Sequence, residues 1–133
     1  MLVVDDNDAD VVLIQDAIQA ADLALTVHVV KDGDEAVRFF DRADTDNDMT
    51  PPDLVILDIN LPKRPGTEVL RHMRQSQRSR GALVLAVSTS DSARDRQQMS
   101  DLGANGYFRK PSEYDEFIKL GDVIKNLLSG TQP

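Results

Sequence analysis

The stretch Leu54-Val55-Ile56-Leu57-Asp58-Ile59-Asn60-Leu61-Pro62 decides the fold. Its four leading apolar residues are too few for a helix and suit a strand covered on both faces, as central strands of parallel sheets are. Asp58 ends that run. A carboxylate at the end of a buried strand loses hydration, so it needs a partner or a chemical task.

The chain on either side alternates short apolar runs with amphipathic segments. Toward the C-terminus, Pro62 to Gly66 punctuates, and Thr67–Ser76 carries Val69, Leu70 and Met73 at helical spacing. Leu83–Val87 is a second buried run, followed by a more polar helix, Ser92–Leu102, which Gly103 stops as a C′ residue would. Gly106–Arg109 reads as a short strand, Lys110-Pro111 as a turn, and Tyr114–Leu128 as one last helix. Toward the N-terminus, Asp41–Pro52 reads as a polar loop and Asp34–Phe40 as a helix after the turn Lys31-Asp32-Gly33. Leu25–Val30 and Leu2–Val4 read as strands, with Asp8–Ala21 between them as a helix capped by Asn7 or Asp8. Five strand–helix pairs in strict alternation predict a five-stranded parallel sheet with helices on both faces, an α/β flavodoxin-like fold.

Composition narrows the function. The chain has 133 residues and a formal net charge of −8 with pI near 4.6, which argues against nucleic acid, whose phosphates need clustered Lys and Arg. It has no Cys, so disulfides, thiolate zinc sites and cysteine nucleophiles are absent. No apolar run approaches the roughly 20 residues that span a bilayer, and the acidic start MLVVDDND is unlike a signal peptide. A cytoplasmic location is expected.

Ligands of open parallel sheets bind outside the carboxyl ends of the strands. Asp5 and Asp6 follow the first strand, Asp58 ends the third, and Ser88 and Lys110 follow the fourth and fifth. Three carboxylates brought together repel unless a cation intervenes, and Mg²⁺ favours a few carboxylates plus waters and a phosphate oxygen. Lys110 offers a compact cation and Ser88 a hydroxyl to a phosphoryl group, while a carboxylate can serve as nucleophile and become an aspartyl-phosphate. Each residue alone has a plain structural reading as a cap, turn or surface group; their coincidence at four strand ends does not. Other motifs fail. Asp44, Asp46 and Asp48 alternate like a calcium loop, but Met49 and Val55 stand where such a loop needs Gly and Glu. His28 and His72 have no second ligand nearby, and no G-x-G-x-x-G follows a strand.

The pieces VVDDND, LVILDINLP with Gly66, AVSTS and GANGYFRKP resemble the receiver domain of bacterial two-component response regulators over essentially the whole chain. That resemblance implies one receiver domain over residues 1–133 with no output domain. It implies Asp58 as phosphoacceptor, and Mg²⁺ held by Asp5, Asp6, Asp58 and the backbone carbonyl of Asn60. It further implies phosphoryl contacts from Ser88 and Lys110, a cis Lys110-Pro111 bond, and Tyr107 as an aromatic switch coupled to Ser88. Ser88 stands where Thr is usual, and Pro65 where an acidic residue is usual. The segments DNDADVVLIQDAI and VVKDGDEAV are similar to single-domain regulators paired with phytochrome-type kinases. The implied partners are a sensor histidine kinase of that type, a downstream target or phosphotransfer protein, and a second copy in a homodimer.

Two dynamic expectations complete this reading. Tyr107 is expected to turn inward once Asp58 is modified, with Phe108, Arg109, Tyr114 and Phe117 on the reporting surface. Lys110→Ala is expected to cost no stability, or even to raise it, while impairing phosphorylation or signalling. The rival reading is a Mg²⁺-dependent phosphatase of the haloacid-dehalogenase type, which uses the same parts. In those enzymes the nucleophile comes first, the acidic pair last, and a catalytic Asp follows the nucleophile by two residues, where this chain has Asn60.

Overall fold

A computed structural model describes residues 1–130, so the last three residues of the expected domain lie outside the described ones. The elements follow in the order β1 (Leu2–Val4), α1 (Asp8–Ala20), β2 (His28–Val30), α2 (Gly33–Thr45), β3 (Leu54–Asp58), α3 (Gly66–Gln75), β4 (Leu83–Ser88), α4 (Ala93–Asp101), β5 (Gly106–Arg109), α5 (Tyr114–Ile118) and α6 (Leu120–Leu128). The strands form one sheet in the order β2-β1-β3-β4-β5, and every neighbouring pair is parallel. The order reverses between β1 and β3, which opens a crevice at their carboxyl ends.

β3 is buried along its whole length, as its apolar run predicts. Side chains alternate across the sheet. Val55 and Leu57 join Phe40, Leu70, Met73 and Met99 beneath α2, α3 and α4. Leu54 and Ile56 join Ile14, Phe117, Leu120 and Ile124 beneath α1, α5 and α6. Burying each of these large side chains contributes roughly 2 kcal/mol against leaving it exposed.

Three elements depart from the sequence reading by more than a residue. β2 begins at His28 rather than Leu25, because β1 offers partners only to His28, Val29 and Val30. Leu25 and Val27 instead pack, half-buried, against the core on the α1 side. α2 runs on to Thr45, since Ala43 extends the buried stripe of Ala36, Val37 and Phe40 at helical spacing. The expected single C-terminal helix is divided at Lys119. There ψ is −16° and the amides of Lys119 and Asp122 bond three residues back rather than four, a tightened turn between α5 and α6. No cis peptide bond occurs among the described residues, so Lys110-Pro111 is trans, contrary to expectation. Gly103 does stop α4 as expected: its φ of +100° lies in the region that favours glycine.

Candidate functional site

Asp5, Asp58, Ser88 and Lys110 are delivered by the ends of strands. Asp5 follows β1, and its backbone N–H donates to the Val30 carbonyl at 3.1 Å, which ties it to the end of β2. Its side chain is fully buried. One carboxylate oxygen accepts from the Asn7 backbone N–H at 2.9 Å, and Asn7 in turn caps α1 by accepting from the Asp10 N–H. Asp58 is the last residue of β3, and its Oδ1 accepts from the Asn60 backbone N–H at 3.1 Å. Asp6 is exposed on the rim. Asp5, Asp6 and Asp58 each present an oxygen within 4.8 Å of the others, a spacing one small divalent cation can bridge.

Lys110 reaches this group from the end of β5, whose approach to β4 is locked by the Lys110 N–H donating to the Ser88 carbonyl at 2.7 Å. Its Nζ donates to Asp5 Oδ2 at 2.9 Å, Asp10 Oδ2 at 2.9 Å and Asp58 Oδ2 at 3.1 Å. An ammonium has three donors, and all three are used. Burial pulls the Lys110 pKa down, but the hydrogen bonds it donates to Asp10 and Asp5, with the nearby charge of Asp58, outweigh it and leave the group above its ordinary value. For Asp5 burial dominates and holds its pKa above the ordinary carboxylate value, against the Asn7 N–H and Lys110, which lower it. Lys110 thus stands among acids whose mutual repulsion it partly neutralises. Removing it would leave buried carboxylates without a counter-charge, so the expectation that its loss costs no stability is reversed.

Gly66 holds the far side of the site. A Cβ there would lie 2.6 Å from the Asp58 carbonyl oxygen and 2.8 Å from the Ile59 Cα, so only glycine lets α3 start this close to the acceptor strand. Its N–H donates to the Ile59 carbonyl at 2.8 Å.

The open side of the site is lined by Asp6, Asn7, Asp10, Asp58, Asn60 and Thr89, with Lys110 beneath. Asp5, Asp6, Asp58 and Lys110 are therefore brought together as the sequence predicts, and Asn60 sits beside them. Ser88 is at the strand end as expected, one residue past Val87, which is the register partner of Asp58. It is buried, and its Oγ accepts from the Ser90 N–H at 3.0 Å. Thr89 and Asp10 are the residues the sequence reading missed. Asp10 had a legible signal: it stands in the first turn of α1, close to the strand end that carries Asp5 and Asp6.

Tyr107 is already turned in. Its ring packs against the core on the α3–α4 side, its hydroxyl donates to the Ser90 carbonyl at 2.9 Å, and the Arg96 guanidinium lies 4.5 Å above the ring. An inward turn on modification thus has no outward position to start from in this structure. Phe117 is also not on a reporting surface: it is 2% exposed and packs edge-on against Phe108. Tyr114 is exposed, as expected.

The sequence and the fold that carries this site are matched by known proteins. The family profile described as the response regulator receiver domain matches residues 1–121. The chain belongs to that family. It is 28% identical over 126 residues to the response regulator Rcp1 of Synechocystis sp., covering 95% of this chain and 86% of that protein. It is 29% identical over 130 residues to the probable methanogenesis regulatory protein FilR2 of Methanothrix harundinacea, covering 98% and 83%. Among solved structures, the phosphorylated cyanobacterial phytochrome response regulator RcpA superposes with a TM-score of 0.85 at 31% identity, over 98% of this chain and 94% of that one. The Mn²⁺-bound form of Rcp1 superposes with a TM-score of 0.84 at 26% identity, over 99% and 95%. Receiver domains are regulators rather than enzymes, and the phosphatase reading finds no support among these relatives. No helix among the described residues is long and apolar enough to cross a membrane.

Proposed function

We propose that this receiver domain takes a phosphoryl group from the phosphohistidine of a sensor histidine kinase onto Asp58, in a Mg²⁺-dependent reaction. One observation carries the reading: Asp58 lies in a three-carboxylate cluster 4.8 Å across, with a lysine ammonium 3.1 Å from its Oδ2. Asp5, Asp6, Asp58 and the Asn60 backbone carbonyl would hold the cation, a hard oxygen set of the kind Mg²⁺ takes. The cation would neutralise charge on the incoming phosphoryl oxygens. Asp58 supplies the attacking oxygen, Lys110 donates to a phosphoryl oxygen, and Ser88 closes on another. The domain thereby takes part in its own phosphorylation, and signals by contacts with a downstream or phosphotransfer protein, or with a second copy in a homodimer. The likeness to RcpA and Rcp1 favours a kinase of the phytochrome type.

The test is incubation with Mg²⁺ and acetyl phosphate, read by intact mass. The wild-type chain gains one acid-labile phosphoryl group, and Asp58→Asn gains none because an amide is not a nucleophile. Undiminished label on that variant would refute the assignment. Asp6→Ala, at an exposed position, keeps its fold and binds Mg²⁺ more weakly in a calorimetric titration; an unchanged titration counts against the cation site.

A further inference from the structure

Asp10 belongs neither to the three-acid cluster nor to the core, yet it takes one of the three donors of Lys110. Its Oδ2 lies 2.9 Å from Nζ, closer than Asp58 Oδ2 at 3.1 Å. Its side chain is 23% exposed and lines the open side of the site, through which any phosphoryl donor must pass. Its main chain is fixed in the first turn of α1, where its backbone N–H donates to the Asn7 side chain. Asp10 and Asp58 share one nitrogen, so their Oδ2 atoms are at most about 6 Å apart, well inside a Debye length. Lys110 is the sole cation among the described residues lining this opening, against Asp6, Asp10 and Asp58 there and Asp5 beneath.

We infer that Asp10 is a positioning residue that holds the Lys110 ammonium in competition with the phosphoryl group and thereby slows the entry of anionic phosphodonors. This inference rests on Asp58 being the acceptor. In the transfer from acetyl phosphate, an Asp58 oxygen forms the new O–P bond as the acetyl oxygen–phosphorus bond breaks, and acetate leaves with the electron pair. For Lys110 to meet the phosphoryl oxygens it must redirect one of its three donors, and of the acids that hold them Asp10 is the one that lines the opening without being the acceptor. The carboxylate of Asp10 opposes this twice, by retaining the ammonium and by repelling the dianionic donor.

The experiment measures phosphorylation rates at saturating Mg²⁺ for wild type, Asp10→Asn, Asp10→Ala and Asp10→Glu, by intact mass, with acetyl phosphate and with the less charged phosphoramidate. Far-ultraviolet circular dichroism checks that each variant is folded. Asp10→Asn and Asp10→Ala are expected to react about threefold faster or more with acetyl phosphate, the size of effect a unit charge has at this distance in water. The gain is smaller with phosphoramidate and shrinks as potassium chloride is raised, whereas Asp10→Glu stays near wild type. A purely structural role would produce no dependence on donor charge or salt. Rates equal to or below wild type in both neutral variants, or a gain that Asp10→Glu shares, overturn the inference while leaving Asp58 as acceptor. Absence of label on the wild-type chain overturns both.

Discussion

Lys110 and Asp5 are 105 residues apart in the chain, and their side chains meet at 2.9 Å with the ammonium 6% exposed and the carboxylate fully buried. The pair joins the ends of β1 and β5, strands that do not neighbour each other in the sheet. The lysine therefore closes the top of the sheet as well as serving the site.

Lys110→Met is expected to lose about 3 kcal/mol of stability in the absence of Mg²⁺, because it leaves buried carboxylates unpaired. Millimolar Mg²⁺ should restore much of that loss by supplying the missing counter-charge. Urea denaturation with and without Mg²⁺ measures both. The sign of the pH dependence follows from the raised Lys110 pKa. Its stabilisation is fully present below the ordinary lysine value of 10.5 and is lost as pH rises through the higher folded value. The cost of the substitution should therefore be flat through neutral pH and shrink only in strong alkali.

Asp32 caps α2 by accepting from the Glu35 N–H at 2.7 Å. That hydrogen bond is the main reason its pKa is lowered, with Lys63 adding to it against a smaller opposing effect of burial. A depressed carboxylate contributes above its ordinary value of 3.8, and the contribution is lost as pH falls through the folded value. Asp32→Ala should cost about 1 kcal/mol near neutrality, and less as the acid limb is approached. Asp32→Asn, which still caps, should cost less. Thermal melts across an acid series decide it.

Gly66→Ala places a methyl against the backbone of Asp58 and Ile59. With no flexible side chain to give way, the main chain must shift, at a cost of roughly 2 kcal/mol. Phosphorylation of Asp58 should slow as well, since the shift falls on the acceptor itself. A variant that keeps wild-type stability and rate would show that this loop tolerates the methyl.

Tyr107→Phe removes the hydroxyl that reaches the Ser90 carbonyl, for about 1 kcal/mol. Ser88 is linked to the same loop through the Ser90 N–H. Beryllofluoride with Mg²⁺, standing in for the phosphoryl group, should shift amide resonances from Ser90 through α4, where Ser90 Oγ donates to Asp95 at 2.6 Å. Both Ser88→Ala and Tyr107→Phe should suppress those distant shifts more than the shifts beside Asp58. Distant shifts that survive intact in both variants would separate this loop from the response.

The alternation of apolar runs and amphipathic segments was enough to place five parallel strands, their order of appearance, and the strand ends that carry Asp5, Asp6, Asp58, Ser88 and Lys110. That information is local: periodicity reports which face is buried, and chain order fixes the residues at the end of each strand. The boundaries of β2, α2 and the α5–α6 break were decided elsewhere, by how many partners β1 presents, how far the buried stripe of α2 extends, and a tightened turn at Lys119. The role of Asp10 was decided by the same non-local physics. Its carboxylate became part of the site only because β5 brings Lys110 back across 100 residues to within 2.9 Å. The inward setting of Tyr107 is likewise tertiary, since its hydroxyl finds Ser90 and its ring finds Arg96 only once α4 is packed beside β5. A carboxylate at a strand end is written in the sequence; which ammonium donor it must compete for is settled by packing, because the donors of one buried lysine are shared among every acid the fold brings within reach.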